Sequence, residues 1–140
     1  MKSYIGVKIV QAEPEVKNGI AGYKVVYSNP DGTDYTSWSP AGVFEDAYYP
    51  LENPTKISQA DVEGFVLPCD SSQIDEKTTQ VKIETITGFT QYETFACVDP
   101  ENYDHNIGVS CASERIMSRL WPFMGFVLQW GRFGLKKAKR

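Results

Sequence analysis

Two arginines in the C-terminal part of the chain are the side chains best suited to bind an anion. Arg115 and Arg119 lie four residues apart, so in a helix they are neighbours on one face. The planar guanidinium group matches phosphate and carboxylate oxygens. Upstream, Asp99 followed by Pro100 is a helix-start signal, because the carboxylate can cap free N–H groups and proline needs no donor in the first turn. A strand that leads into a capped helix with exposed arginines predicts an anion site.

The aromatic residue that best suits a flat ligand is Tyr92. In a strand predicted at residues 89–98, alternation places Phe95 and Cys97 on one face and Tyr92 on the other, among threonines. A ring on a polar strand face either packs against a neighbouring strand or is free to stack on a nucleotide base. Both interpretations stay open at the level of sequence.

The sequence contains few residues that could carry out catalysis. His105 is the single histidine, so a serine or cysteine nucleophile with a histidine base could be built only around it. The motifs G-x-S-x-G, Walker A, G-x-G-x-x-G and H-E-x-x-H are absent. The oxygen-bearing side chains near His105 lack the spacing and glycine of a calcium loop. We therefore expect a binding protein rather than an enzyme, with no catalytic residue, metal or cofactor.

The charge of the chain is distributed unevenly. Residues 1–114 contain all 18 acidic side chains and 7 lysines, which gives −11, whereas residues 115–140 contain 7 basic side chains and no acid, which gives +7, for a total of −4. This asymmetry favours an anionic partner. Residues 136–140 contain four basic side chains at the end of the chain, and we expect them to form a solvated basic tail.

Length and composition bound the class of protein. At 140 residues the chain fits one domain, predicted over 1–140. Three cysteines without a C-x-x-C pair fit a reducing cytosol rather than a disulfide framework. The first ten residues lack the apolar core of a secretory signal, and no run approaches membrane-spanning length. Overall acidity without an extended basic stripe argues against nucleic acid as a partner. We expect neither a membrane nor a nucleic-acid partner.

The pattern of elements predicts an α+β fold, with antiparallel hairpins over residues 1–98 and two helices over 99–135. Strands are predicted at 4–10, 22–27, 33–38, 77–87 and 89–98, short helices at 40–48 and 59–63, and loops at 11–21 and 68–75. In the first short helix, we expect Val43, Phe44 and Ala47 to face inward. Trp38, in the turn before that helix, is predicted to be structural.

The C-terminal helices are predicted from an apolar stripe and a proline. Apolar residues recur at spacings of three and four, at Val109, Ala112, Ile116 and Leu120. Because the residue before proline is disfavoured in helical geometry, Pro122 makes Trp121 a boundary. We expect a first helix at 99–121 and a second at 123–130.

Several segments together resemble small accessory proteins of bacteriophages. They are YIGVKIV at 4–10, SWSP at 37–40, VFE at 43–45, ACVDPENYD at 96–104 and LWPFMGFVL at 120–128. Within that group the chain is similar to the first-described Thoeris anti-defence family, whose members are phage sponges rather than enzymes.

The resemblance implies that the protein binds and sequesters a cyclic nucleotide immune signal in the host bacterial cytoplasm without cleaving it. The implied ligand is glycocyclic ADP-ribose, made by bacterial TIR-domain proteins, or in some cases a cyclic oligonucleotide. The family's pocket contains an aromatic residue, an asparagine and an arginine, and in that order Tyr92, Asn102 and Arg119 match. An early arginine of the family has no match here, and Lys24 is the substitute charge. The alternatives are a structural or partner-binding phage protein and a nucleotide hydrolase around His105.

A distance argument favours assembly. Asn102 and Arg119 are 17 residues apart, so in one straight helix they would stand about 25 Å from each other. A ligand of dinucleotide size cannot touch both within one chain. Either the helix breaks at Gly108, or two protomers share the pocket. The apolar run at 123–130 favours sharing, and we expect a homo-oligomer that is at least a dimer.

Overall fold

The computed structural model describes residues 1–29 and 31–138 and confirms the α+β class. Its elements, in chain order, are β1 (Gln11–Lys17), β2 (Ile20–Ser28), β3 (Asp34–Pro40), α1 (Ala41–Ala47), α2 (Gln59–Gly64), β4 (Asp70–Asp75), β5 (Thr78–Glu84), β6 (Thr90–Ala96) and α3 (His105–Phe133), with 3₁₀ turns at Pro100–Asn102 and Lys136–Ala138. Unit 1 contains residues 1–55 and the segment that starts at Val127, and unit 2 contains residues 56–126. The single domain predicted over 1–140 stays a prediction. No helix in the described part of the chain is long and apolar enough to cross a membrane.

The sheet of unit 1 is antiparallel in the order β1-β2-β3, and its first strand is not the predicted one. Residues 4–10, predicted as a strand, have no regular structure, whereas the predicted loop at 11–21 contains β1. The reason is the Asn18-Gly19 dipeptide, whose φ values of 52° and 77° suit the tight two-residue turn that joins β1 to β2. Pro14 is tolerated because β1 lies at the sheet edge.

The second hairpin of unit 1 and the helix after it agree with the predicted elements. In the turn between β2 and β3, the Gly32 N–H donates to the Asn29 carbonyl at 3.0 Å, while Pro30 lies outside the described residues. In α1, Phe44 stacks on Tyr23 with a centroid separation of 4.4 Å. The predicted inward positions of Val43 and Ala47 are wrong, because both are exposed. A helix of seven residues presents one narrow face to β2, and Phe44 fills it.

Trp38 has the structural role predicted for it. Its indole Nε1–H donates to the Glu15 carbonyl at 3.0 Å. The ring also lies so close to Gly22 that a Cβ at this glycine would come within 2.5 Å of it. Trp38 therefore ties β1 to β3 across the middle strand.

The sheet of unit 2 is antiparallel in the order β4-β5-β6. Its central strand alternates as expected, with Thr79, Val81 and Ile83 buried. The predicted loop at 68–75 is wrong, since residues 70–75 form β4 and pair with β5. All six residues of β4 are exposed. Because no face of this edge strand is buried, its sequence does not need alternating apolar residues and shows no strand pattern. The predicted helical turn at 59–63 is confirmed as α2, which begins with a reciprocal capping box between Ser58 and Asp61.

One helix of 29 residues, α3, replaces the two predicted at 99–121 and 123–130. The Asp99 carboxylate caps only the 3₁₀ turn, through the Glu101 N–H. The long helix begins after Asp104, whose carboxylate accepts from the N–H groups of residues 106 and 107. The boundary predicted at Trp121 is wrong, because the helix continues through Pro122.

The buried stripe of α3 explains why Pro122 does not end the helix. Its buried members recur every four residues, at Gly108, Ala112, Ile116, Leu120 and Met124. A proline inside a helix costs about 3 kcal/mol. Burying a side chain such as leucine or methionine contributes about 1.5–3 kcal/mol each, and two of them, one on each side of the proline, offset that cost. Of the predicted basic tail, residues 139 and 140 lie outside the described residues.

We expect Gly108→Ala to destabilise the protein by about 1–3 kcal/mol. A Cβ at this position would lie 2.3 Å from Oγ1 and 2.6 Å from Cβ of Thr79, which is itself fully buried. Gly125→Ala is the matched control in the same helix, because its Cβ would meet nothing within 4 Å. Alanine there should be neutral or stabilising by up to about 1 kcal/mol. Urea unfolding of both variants measures the difference, and equal stabilities would contradict this packing of α3 on β5.

Candidate functional site

Arg119 is bonded to β6 through three of its guanidinium N–H groups. Its Nη1 donates to the Glu93 carboxylate at 2.7 Å, Nε donates to the Gln91 side chain at 3.1 Å, and Nη2 donates to the Tyr92 carbonyl at 3.1 Å. The contact between Arg119 and Glu93 is at the same time a salt bridge. The guanidinium group therefore has a carboxylate partner within its own chain.

Arg115 is attached to the same strand one helical turn earlier. Its Nη1 donates to the Thr94 carbonyl at 3.3 Å, and its guanidinium lies 5.3 Å from the centroid of the Phe95 ring. The carbonyls of Tyr92 and Thr94 are two residues apart and point the same way, toward the edge of the sheet that β6 forms. The two arginines therefore cover an edge that would otherwise present free carbonyls.

Tyr92 lies on the exposed face predicted for it. Its side chain is 56% exposed, and strand alternation places it on the face opposite the side chains of Gln91 and Glu93. Arg119 therefore contacts the backbone of Tyr92 and not its ring. A flat ligand could stack on this ring from solvent.

Asn102 lies at the end of the 3₁₀ turn and lines a small cavity of unit 2. The cavity has a volume of about 30 Å³, and Phe95, Cys97 and Tyr103 also line it. Ligand pockets usually enclose about 300–1,000 Å³, so this cavity has room for roughly one water molecule. Asn102 is exposed at its rim.

Lys24 belongs to unit 1, whereas the other four predicted site residues belong to unit 2. Its Nζ lies 3.7 Å from the Glu13 carboxylate, across the β1–β2 pairing. It also lines an open groove with Lys17 and Trp38.

Among the predicted site residues, unit 2 brings Arg115 and Arg119 to the outer edge of β6. It places the Tyr92 ring on the sheet face opposite the side chains of Gln91 and Glu93, and it leaves Asn102 at the rim of the cavity.

A chain of hydrogen bonds around His105 was not predicted. His105 Nε2 lies 3.0 Å from Ser71 Oγ, and its Nδ1 lies 3.0 Å from the Tyr103 hydroxyl. That hydroxyl lies 2.7 Å from Thr79 Oγ1. The sequence signal was the single histidine directly after a helix cap, but Ser71 is 34 residues away, in a segment that resembled a loop. No group of three potential metal ligands is found among the described residues.

Comparison with known proteins gives a match to a family model. The model of a family described as Phage protein (N4 Gp49/phage Sf6 gene 66) matches residues 42–131, which is more than half of the chain. The matched range includes Tyr92, Asn102, Arg115 and Arg119 but not Lys24. No curated protein and no solved structure matches the chain.

Glu93→Gln should lower stability near neutral pH and have little effect in acid. The hydrogen bond from Arg119, followed by that from the Thr94 N–H, holds the pKa of Glu93 below its ordinary value of 4.5. A carboxyl group whose pKa is lowered by folding stabilises the fold above the ordinary value, and this contribution is lost as the pH falls through the lowered pKa. Since both side chains are partly exposed, we expect about 0.5–1 kcal/mol at pH 7.

Urea unfolding of the wild type and Glu93→Gln at pH 7 and pH 3 measures this contribution, with Glu76→Gln as a control for the loss of one carboxylate. The difference between wild type and Glu93→Gln should shrink at pH 3. A difference of the same size at both pH values would show that the carboxylate charge is not its cause.

Proposed function

Since the chain belongs to the Phage protein (N4 Gp49/phage Sf6 gene 66) family, we propose that it is a phage anti-defence sponge. In this proposal it binds a cyclic nucleotide immune signal, of the glycocyclic ADP-ribose type or a cyclic oligonucleotide, in the host bacterial cytoplasm. It holds the ligand without cleaving it and thereby inhibits Thoeris-like immunity. The similarity of segments such as 96–104 and 120–128 to the sponge family supports the proposal.

The proposal rests mainly on the exposed ring of Tyr92. This ring lies on strand β6, and Arg115 and Arg119 bond to the backbone of that strand. Stacking on an aromatic ring is worth about 1–3 kcal/mol per base. Arg119 and Arg115 hold β6 at the carbonyls of residues 92 and 94, and a ring on a held strand loses less conformational freedom when a ligand stacks on it. Arginine has five N–H donors, and three of those of Arg119 bond to β6. The remaining two suit a phosphate oxygen at the strand edge.

We propose that a second copy of the chain completes the ligand site. The cavity beside Asn102, about 30 Å³, is too small for a nucleotide, and the Tyr92 ring stands on an open face. The distance expected for one straight helix does not apply, because Asn102 lies in the 3₁₀ turn before α3 and not in the helix, while α3 itself is continuous at Gly108. Large apolar side chains on α3 remain exposed, among them Phe123 and Phe126, and burying them between copies would stabilise a dimer or larger homo-oligomer. Lys24 as a substitute for the early arginine stays a prediction.

The second candidate is a structural or partner-binding phage protein without a small-molecule ligand. The pairing of Arg119 with Glu93 at 2.7 Å favours this candidate, because that guanidinium already has a carboxylate. In this case the exposed apolar residues of α3 would serve a protein partner.

Intact ligand should be recovered from the protein after binding. The protein is incubated with glycocyclic ADP-ribose, filtered, denatured by heat, and the released nucleotide is identified by mass spectrometry. Tyr92→Ala should weaken binding about 5- to 150-fold in calorimetric titration, whereas Tyr4→Ala, which removes another exposed ring, should not. Released fragments would indicate an enzyme, and no depletion of ligand would favour the partner-binding candidate.

If two protomers share a site, two defective variants should complement each other. Asn102→Ala and Tyr92→Ala chains are each expected to bind poorly alone, while a refolded mixture regains a fraction of intact sites. These positions are preferable to Arg119, whose loss would also release β6. Light scattering reports the oligomeric state in parallel, and a monomer that binds the ligand tightly would contradict the shared site.

A further inference from the structure

Ser71 and His105 have the geometry of a nucleophile and its general base. Ser71 Oγ lies 3.0 Å from His105 Nε2, within the range at which a histidine can accept a serine proton. Ser71 is exposed on the edge strand β4, so an electrophile can reach its hydroxyl from solvent. These two residues lie away from β6 and take no part in the proposed nucleotide site.

The other side of the imidazole ring is held by Tyr103. The tyrosine hydroxyl lies 3.0 Å from Nδ1 and 2.7 Å from Oγ1 of Thr79, which is fully buried. When Tyr103 donates to Thr79, its oxygen can accept a hydrogen bond from Nδ1–H. The lone pair of Nε2 then faces the Ser71 hydroxyl. This is the arrangement of a catalytic triad, in which a third group orients the base, with a tyrosine in the orienting position.

The supporting backbone restricts all four side chains. Ser71 is paired opposite Val81 in the β4–β5 ladder. Tyr103 ends the 3₁₀ turn, and His105 is the first residue of α3, which the Asp104 carboxylate caps. Gly108 allows Thr79 to approach the helix closely. A base held by packed elements loses little freedom when it acts, which is the condition for effective proton transfer.

We propose that Ser71 is a base-activated nucleophile that forms a covalent adduct with activated esters and phosphonates. With an alkyl fluorophosphonate, Oγ attacks phosphorus, the O–P bond forms and the P–F bond breaks with loss of fluoride. His105 Nε2 takes the hydroxyl proton and later releases it to water. Ser71 and His105 are the reacting pair, and Tyr103 is a positioning residue. The reaction ends at the phosphonylated serine and requires no turnover.

An alkyl fluorophosphonate with a fluorescent tag tests this inference on the full-length protein. Mass spectrometry should locate one adduct at Ser71, and Ser71→Ala should abolish it. Ser72→Ala is the matched control on the same strand and should label like the wild type. His105→Gln should lower the labelling rate about 100-fold or more, the range that general-base assistance supplies.

The dependence of labelling on pH separates base assistance from simple exposure. In the wild type the rate should fall in acid, because a protonated imidazole cannot accept the hydroxyl proton. Tyr103→Phe should move the pH at which the rate is half-maximal, while thermal unfolding confirms that the variant is folded. No adduct in the folded wild type, or an unchanged rate in folded His105→Gln, would overturn the inference.

Discussion

The attachment of α3 along β6 is the interaction on which the rest of unit 2 depends. As residue numbers increase along α3, the residues that it contacts on β6 and just before it decrease in number. Arg115 bonds to Thr94, and Arg119 bonds to Gln91 and Glu93. Further along, the ring of Phe123 meets that of Phe89 edge-on, with the centroids 6.4 Å apart. The helix therefore runs antiparallel to the strand. Polar bonds hold the outer edge of the sheet, while the buried stripe of α3, from Gly108 to Met124, supplies apolar packing.

The arginines show how one chemical preference can serve two purposes. A guanidinium group binds planar oxygen acceptors, whether they belong to a ligand or to the protein itself. Arg119 meets this preference with a carboxylate, an amide oxygen and a backbone carbonyl of β6. Arg119 bonds to the outward carbonyl of Tyr92 and Arg115 to that of Thr94, and together they cover a strand edge that could otherwise pair with another chain. A pair of arginines in a sequence therefore indicates oxygen acceptors but does not identify them. Here, acceptors on strand β6 of the same chain bind both guanidinium groups.

The chemically interesting groups of unit 2 lie on different parts of the same sheet. Tyr92 stands on one face of β6, Asn102 lies at a small cavity, and the Ser71–His105 pair lies at the β4 edge. β5 connects them, because it pairs with both β4 and β6 and carries the buried Thr79. Tyr92 and the Ser71–His105 pair therefore belong to the two outer strands of one sheet or their neighbours, and separate hydrogen bonds hold β6 and the Ser71–His105 pair.

The sequence alone determined those features that depend on neighbours in the chain. The β2–β3 and β5–β6 hairpins, both short helices, the apolar stripe of α3 and the exposed face of Tyr92 follow from periods of two and 3.6 and from caps within a few residues. The tertiary structure decided what depends on distant partners. β4 became a strand because β5 pairs with it, although its own residues do not alternate, and α3 continued through Pro122 because burial on both sides of the proline offsets its cost. β1 is a local feature that was not predicted, because the Asn18-Gly19 turn joins it directly to β2. Arg119 bonds to Glu93, 26 residues away in the chain, and Ser71 lies beside His105, 34 residues away. No local sequence pattern encodes contacts between residues so far apart in the chain.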